Sequence, residues 1–373
     1  MNAVVVHLIP DTTFLPFVVG AFTEALPGDN VFLVYGATKG LERHGLDPGV
    51  RVEAIDSDAR GRARVNDLFA SSKVAISHSM STFAAEAIAS VPSTTLTVWS
   101  GWGGDYYGNA FNETAGLLGP RTSRIMRKNR DWTALAERAY ATPWLNRLYS
   151  AAAAATRVFS APVPTDLEVF RRRFPRFRGR YHQLNYASVE DTYALLPDKL
   201  TGDNILVGNS ASPENNHLEA LTLISRVGIG TRRVIVPLSY GDSVYGDHIE
   251  RAGRKLFGEQ FAPLRGFMPL SDYSALVSSC SVVVMGHRRQ QGLGNVARAT
   301  WQGAYVFLDH RNSIVPYFRS AGIPVSTLDD YKRLGLPELP REERELSVTR
   351  ERARAIWGRD VVIQNIRSLT ASA

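Results

Sequence analysis

Short apolar runs alternating with helical stretches, twice over, constrain this chain more than any other feature. Runs at Ala3–Ile9, Val31–Tyr35, Val50–Ala54, Lys73–Ser77, Thr95–Trp99 and Arg157–Ser160 read as strands, with Phe14–Leu26, Arg62–Ala70 and Thr82–Ala89 as helices between them. A polar, turn-rich break at Pro197–Asn204 interrupts the rhythm. It restarts with strands at Ile205–Gly208, Arg233–Val236, Ala262–Gly266, Ser281–Met285 and Tyr305–Leu308. Strands separated by helices pair in parallel through crossovers, so the expectation is an α/β fold with two domains. Residues 1–198 form the first, 203–345 the second, and 346–373 a charged C-terminal helix packed across both. Residues 121–155 read as helical, with Pro143 in a first turn.

Two domains also fit a length of 373 residues, and 44% hydrophobic with 21% charged residues is ordinary for a soluble globular protein. No apolar run approaches the roughly 20 residues that cross a bilayer. The start, Met1 to Asp11, reads as a first strand rather than a signal peptide. A single cysteine, Cys280, sits among apolar neighbours, which predicts a buried structural thiol and a cytosolic setting. The net charge of +7 is concentrated. Arg121, Arg124, Arg127, Lys128 and Arg130 precede Trp132, and Arg171, Arg172, Arg173, Arg176, Arg178 and Arg180 interleave with Phe170, Phe174, Phe177 and Tyr181. Basic residues mixed with aromatics suit an anionic membrane surface, and solvated helix faces are the plain alternative. No nucleic-acid module accompanies the clusters, so nucleic acid is not expected as a partner.

The stretch from Val284 to Asp309 carries the chemistry. A buried strand leads into a polar loop of Arg288, Arg289, Gln290 and Gln291, and Gly292, Leu293, Gly294 and Asn295 then open a helix before the next strand. Backbone N–H groups and a helix N-terminus converge in such a turn, and two arginines make a phosphate the natural guest. A second turn of this kind follows the strand ending at Val207. Gly208, Asn209 and Ser210 lead to Ser212 as N-cap and Pro213 as first-turn proline, with Asn215 and His217 beyond. Gly292 to Ala297 also fits the dinucleotide pattern, but that fingerprint begins right at a strand end, and here His287 to Gln291 intervene. In the first domain, Asp105 among Gly103, Gly104, Trp102, Tyr106 and Tyr107 is a carboxylate that burial would make a general base. His78 is the other candidate base, and His7 with Asp11 ends the first strand. Asp56 and Asp58 form a D-x-D that reads as a turn, and no cluster has zinc-ligand spacing.

These residues resemble the Fuc4NAc (4-acetamido-4,6-dideoxygalactose) transferases that act on lipid-linked oligosaccharides in bacterial surface-polysaccharide assembly. Ile205 to Ser210, with Asn215 and His217, resembles that family's ILVGNS…N-x-H stretch. Val234 to Tyr240, which includes Pro237, resembles its VVVP-x-x-Y strand, and Arg289 to Gly294 its RQQG-[IL]-G loop. Trp102 to Tyr107 is similar to a WG-x-D-x-Y element, and Asp309-His310 stands where the family has asparagine. The resemblance implies a GT-B architecture, two Rossmann-like domains facing across a cleft, with an acceptor domain followed by a nucleotide-sugar domain. It further implies an inverting, metal-free transfer from a dTDP-sugar to a polyprenyl-diphosphate-linked saccharide, peripheral to the inner face of the bacterial cytoplasmic membrane. In that scheme Asp105 is the base with His78 in reserve, and His7, Asp11, Trp102 and Tyr106 lie on the acceptor side. The donor diphosphate meets Gly208, Asn209, Ser210, Asn215, Pro237, Tyr240 and Arg288 to Asn295. Two other function classes remain: a nucleotide-sugar epimerase or hydrolase of the same fold, and a non-enzymatic basic module for membranes or nucleic acid.

Overall fold

The computed structural model describes residues 4–37, 40–107, 116–128, 132–192, 197, 199–337 and 341–371. The chain forms two compact units, the first from Met1–Asn112, Ala136–Val189 and Trp357–Ala373, the second from Glu113–Leu135 and Glu190–Ile356.

Seven strands build the first unit: β1 (Val5–Pro10), β2 (Asn30–Tyr35), β3 (Val52–Ile55), β4 (Val74–His78), β5 (Leu96–Ser100), β6 (Val158–Ser160) and β7 (Arg180–Tyr181). They lie in the order β3-β2-β1-β4-β5-β6-β7, and all pairs are parallel. Nearly continuous apolar runs make this possible, because helices cover both faces of a parallel sheet and leave neither for water. Alternate residues accordingly feed two cores. Val6, Leu8, Leu33, Trp99 and Phe159 enter one, and Val5, Ile9, Phe32, Val34 and Ile76 the other.

Three expectations change here. Phe170, Phe174 and Phe177 are buried around Trp99 and Phe159, with the Phe159 and Phe170 rings stacked 3.9 Å apart. The phenylalanines of the second basic cluster therefore belong to the core, and Arg171, Arg172 and Arg173 face solvent at the end of the helix Asp166–Arg173. A spacing of three to four residues separates the two sets onto opposite sides of the chain. Pro143 lies inside the helix Trp132–Ala155 instead of opening it, since one missing N–H removes a single ladder bond and alanine-rich flanks sustain the rest. The charged tail divides at Gly358 into Glu343–Trp357 and Arg359–Ala371. The second of these sets Val362, Ile363, Ile366 and Leu369 into the first unit's core against the helix Leu15–Ala25.

The second unit repeats the plan with β8 (Asn204–Val207), β9 (Val234–Pro237), β10 (Phe261–Leu264), β11 (Cys280–Met285), β12 (Tyr305–Leu308) and β13 (Ser326–Thr327). Its order is β10-β9-β8-β11-β12-β13, again all parallel. Cys280 is buried as expected, and burial pushes its thiol up to about 12. The helix Pro120–Lys128, read from sequence as part of the first domain, belongs with this unit. Met126 packs on the second core, and Glu219 accepts from the backbone N–H groups of Arg121 (2.8 Å) and Thr122 (3.1 Å) and from the Thr122 hydroxyl (2.6 Å). Arg121, Arg124 and Arg127 are exposed at every third position, while Arg130 and the side chains of Lys128 and Trp132 lie outside the described residues. In each sheet the strand order reverses once, between β1 and β4 and between β8 and β11. Adjacent loops part at such a reversal, and that is where open α/β sheets bind ligands.

Candidate functional site

At the reversal in the second sheet, two glycines let backbones press together. Gly208 follows β8 with φ +69°, and a Cβ there would lie 2.4 Å from His217 Nε2 and 2.7 Å from Asn215 Oδ1. A Cβ on Gly286, just after β11, would lie 2.5 Å from the Asn215 carbonyl oxygen. Asn215 fixes the first loop by accepting from the Asn209 N–H (2.8 Å) and donating to the Ser210 hydroxyl (3.3 Å) and the Ser212 carbonyl (3.1 Å). Asn216 ties three segments together. It donates to the carbonyls of Leu117 and Gly286, both at 2.9 Å, and accepts from the Gly119 N–H at 2.7 Å. The expected cap at Ser212 needs correction. Pro213–Asn215 is a single 3-10 turn, and the α-helix starts at His217 after Asn216 adopts a left-handed conformation (φ 50°), which asparagine tolerates.

The facing loop runs from β11 to the helix Leu293–Gln302, which Gly292 opens at φ +65°. His287 Nε2 (3.1 Å) and Gln291 Nε2 (3.4 Å) both meet Asn209 Oδ1 and join the two loops. Gly294 has open space where a side chain would project, and Asn295 donates to the Tyr273 hydroxyl at 3.0 Å. Pro237 is buried at the end of β9, and Tyr240 stands exposed beside Ser210, its carbonyl accepting from Ala211 N–H at 2.8 Å. These residues therefore gather as expected, but the arginines are less free than expected. Arg289 is paired with Glu214 at 2.5 Å. Arg288 donates to the carbonyls of Gly116 (3.0 Å) and Leu118 (2.6 Å) and lies 3.6 Å from Asp309. Arg311 grips Asp309 through two bonds of 2.8 and 2.7 Å. Burial chiefly, then the Arg311 charge, lowers the Arg288 pKa.

Among the described residues, buried polar atoms without a hydrogen bond collect in this crevice: His217 Nε2, His287 Nδ1, Gln290 Oε1, Gln291 Oε1 and Arg288 Nε, the last held only by its 3.6 Å ion pair to Asp309. Each such atom costs roughly 1–3 kcal/mol when left unpaired, so a concentration of them at one reversal point marks a place a ligand completes.

The first sheet presents a different arrangement at its reversal, one closed on itself. Asn30 donates both amide hydrogens, to the carbonyls of Phe22 (3.0 Å) and Leu26 (2.7 Å), so its Oδ1 accepts from His7 Nε2 at 3.0 Å. A neutral His7 must then accept at Nδ1 from His78 Nε2 (3.0 Å), and His78 Nδ1 accepts from the Tyr186 hydroxyl (3.1 Å). The Tyr186 oxygen in turn receives Trp102 Nε1 at 3.2 Å and contacts the Ser100 hydroxyl. An indole can only donate and a fixed amide oxygen can only accept, so this network assigns every tautomer from both ends. His78 has no nitrogen left for a substrate. Tyr106 is buried with its hydroxyl on Asp166 at 2.5 Å, and Asp11 is held by His44 (2.7 Å) and Arg43. Asp105 is different. Its Oδ2 accepts from Trp99 Nε1 (2.7 Å) and Met80 N–H (3.1 Å), its Oδ1 from Trp102 N–H (2.9 Å). Its own backbone N–H also bonds the carboxylate. Burial raises its pKa, with those hydrogen bonds opposing. Tyr186, Asn30 and Asp166 escaped sequence analysis because their partners lie 23 to 108 residues away and no local motif marks them.

Burial holds His7 and His217 near 3 and His78 and His287 well below 6.5, the ordinary histidine value. Lowered folded-state pKa values mean that the unfolded chain takes up protons first as pH falls. Stability should be complete above pH 6.5 and decline toward pH 3, by about 1.4 kcal/mol per pH unit for each histidine. Melting temperatures recorded from pH 7.5 to 4 check this, and a flat profile contradicts neutral burial.

Comparison with known proteins places this geometry. Residues 143–342 match the family model described as 4-alpha-L-fucosyltransferase glycosyl transferase group 56. Among solved structures, sucrose-phosphate synthase from Thermosynechococcus elongatus superimposes with a TM-score of 0.63 at 11% identity, covering 99% of this chain and 100% of that one. HepE from Anabaena, solved with UDP and glucose, gives 0.61 at 12% identity, covering 99% and 98%. AviGT4, a glycosyltransferase involved in avilamycin A biosynthesis, gives 0.54 at 15% identity, covering 99% of each. Identities this low speak to the fold, which is GT-B.

Proposed function

Because the chain belongs to the 4-alpha-L-fucosyltransferase glycosyl transferase group 56 family, and is thus a glycosyltransferase, we propose that it moves a Fuc4NAc-like deoxyamino sugar from a dTDP-sugar to a polyprenyl-diphosphate-linked saccharide. The transfer inverts the anomeric centre, uses no metal, and serves bacterial surface-polysaccharide synthesis at the inner face of the cytoplasmic membrane. The observation that carries this reading is the set of unpaired buried groups around Gly208 and Gly286, beside the N-terminus of Leu293–Gln302.

Those groups divide by chemistry. Backbone N–H groups at the helix start and Arg288 Nε are donors, suited to diphosphate oxygens that gain charge as the C1–O bond breaks. Gln290 Oε1 and Gln291 Oε1 are acceptors, suited to sugar or base N–H and O–H groups. Arg289, matched by Glu214, holds the loop and leaves the charge work to Arg288. On the acceptor side, Asp105 takes the proton of the attacking hydroxyl, the new oxygen–C1 bond forms, and the nucleoside diphosphate leaves. His78 acts only through Tyr186, to hold Trp102.

Thermal stabilisation by dTDP, UDP, GDP, CDP, ADP and NAD, with and without magnesium, tests the donor. A ligand at 100 times its dissociation constant adds about 2.7 kcal/mol. A selective, magnesium-independent shift with dTDP is expected. Selectivity for UDP or GDP removes the dTDP assignment, and a response to NAD alone removes transfer chemistry from this site.

A further inference from the structure

We propose that a second groove on the second unit, lined by none of the donor-crevice residues, binds the phosphate of an amphiphile whose apolar part continues along the same surface. The groove is a cavity of about 560 Å³ between the helices His217–Val227 and Leu328–Leu334, with Arg121 at its edge. Four cations line it: Arg121, Arg226, Lys332 and Arg333. Arg333 is committed to Asp330 at 2.9 Å, whereas Arg121, Arg226 and Lys332 have no carboxylate within ion-pair distance among the described residues. The lining carboxylate, Glu219, is held by its three bonds to Arg121 and Thr122 against the first turn of the helix Pro120–Lys128. Arg121, Arg226 and Lys332 against the one charge of Glu219 leave the cavity net positive, a field that an anion relieves.

The remaining wall selects the kind of anion. Leu223 and Val227 contribute apolar surface, and Leu334 stands 67% exposed at the rim. A free phosphate would leave that surface wet, while a phosphate joined to hydrocarbon covers it. The exposed Arg124 and Arg127 extend the positive face along Pro120–Lys128. In the first unit, by contrast, the phenylalanines interleaved with the arginine cluster are buried. The groove combines charge and apolar surface. The phospholipid headgroup is the occupant that combination fits, which gives the proposed membrane placement a specific contact and does not depend on sugar transfer.

Co-sedimentation of the full chain with phosphatidylcholine vesicles, with and without 30% phosphatidylglycerol, tests this in the absence of any sugar nucleotide. Binding only to the anionic vesicles is expected. At about fivefold per cation near an anionic surface, Arg226→Glu with Lys332→Glu should weaken it by at least about 25-fold. Leu334→Ser should weaken it while leaving the salt dependence unchanged. Soluble glycerol phosphate should compete poorly; full competition by it or by inorganic phosphate overturns the amphiphile and leaves an anion site. Unchanged binding in the double variant, or loss instead in Arg171→Glu with Arg172→Glu, overturns the groove. A melting shift with nucleotide that persists in the groove variants shows that the donor site and this one succeed or fail separately.

Discussion

Gly208→Ala should abolish nucleotide-induced stabilisation and lower turnover by about 100-fold or more. Two costs combine. A non-glycine residue at φ +69° carries a left-handed penalty of about 1–2 kcal/mol. The new methyl would also fall 2.4 Å from His217 Nε2, a side chain that is wholly buried and bonded to the Tyr245 hydroxyl at 3.2 Å. It cannot withdraw, so the loop carrying Asn209 and Ser210 must move, and each 1.4 kcal/mol lost in binding is a factor of ten. Gly20→Ala is the matched control. That glycine lies within the helix Leu15–Ala25 with nothing within 4 Å of its missing Cβ. Alanine there should raise stability by up to about 1 kcal/mol. Calorimetric titration with the responding nucleotide separates the two, and wild-type affinity in Gly208→Ala would show that the crevice is not where nucleotide binds.

Asp105→Asn should cost about 10³-fold in turnover while sparing nucleotide binding. General-base contributions are roughly 10²–10⁴-fold, and an amide supplies none. Stability should fall as well. The carboxylate accepts from Met80, Trp99 and Trp102 on its two oxygens, so an amide nitrogen must face at least one N–H donor. Hydrogen bonds to a charged group carry roughly 1.5–3 kcal/mol each. Because burial raises the Asp105 pKa, the acid limb of the kcat/KM profile should lie above the ordinary carboxylate value of 3.8, activity falling as pH drops through it. A variant with normal turnover, or a profile without that limb, removes Asp105 as the base and leaves it as the loop's anchor.

Asp105 and Gly208 lie in units whose strands were mostly legible in advance. Apolar runs such as Val31–Tyr35 and Val282–Met285 state their structure locally, since a strand buried on both faces needs little more than continuous hydrophobicity and a bounding turn. The two-residue strands Arg180–Tyr181 and Ser326–Thr327 were missed, because their pairing is decided by the neighbouring strand rather than by their own composition.

Local sequence also fixed where backbone comes close. Gly208 adopts positive φ just after β8 and Gly292 where the helix Leu293–Gln302 begins, so the crevice these loops form could be located from residue types alone. What tertiary structure decided was which polar groups remain available there. Arg289 looked like a phosphate ligand until Glu214, 75 residues earlier, appeared beside it, and His78 looked like a base until His7 and Tyr186 took both its nitrogens. The phenylalanines of the Arg171–Arg180 segment looked like a membrane face until Trp99 and Phe159 enclosed them. A strand or a glycine turn follows from contacts between near neighbours, whose geometry the chain dictates. The availability of a charge or a ring depends on partners that only folding brings within a few ångströms, and burial in low dielectric makes that proximity decisive.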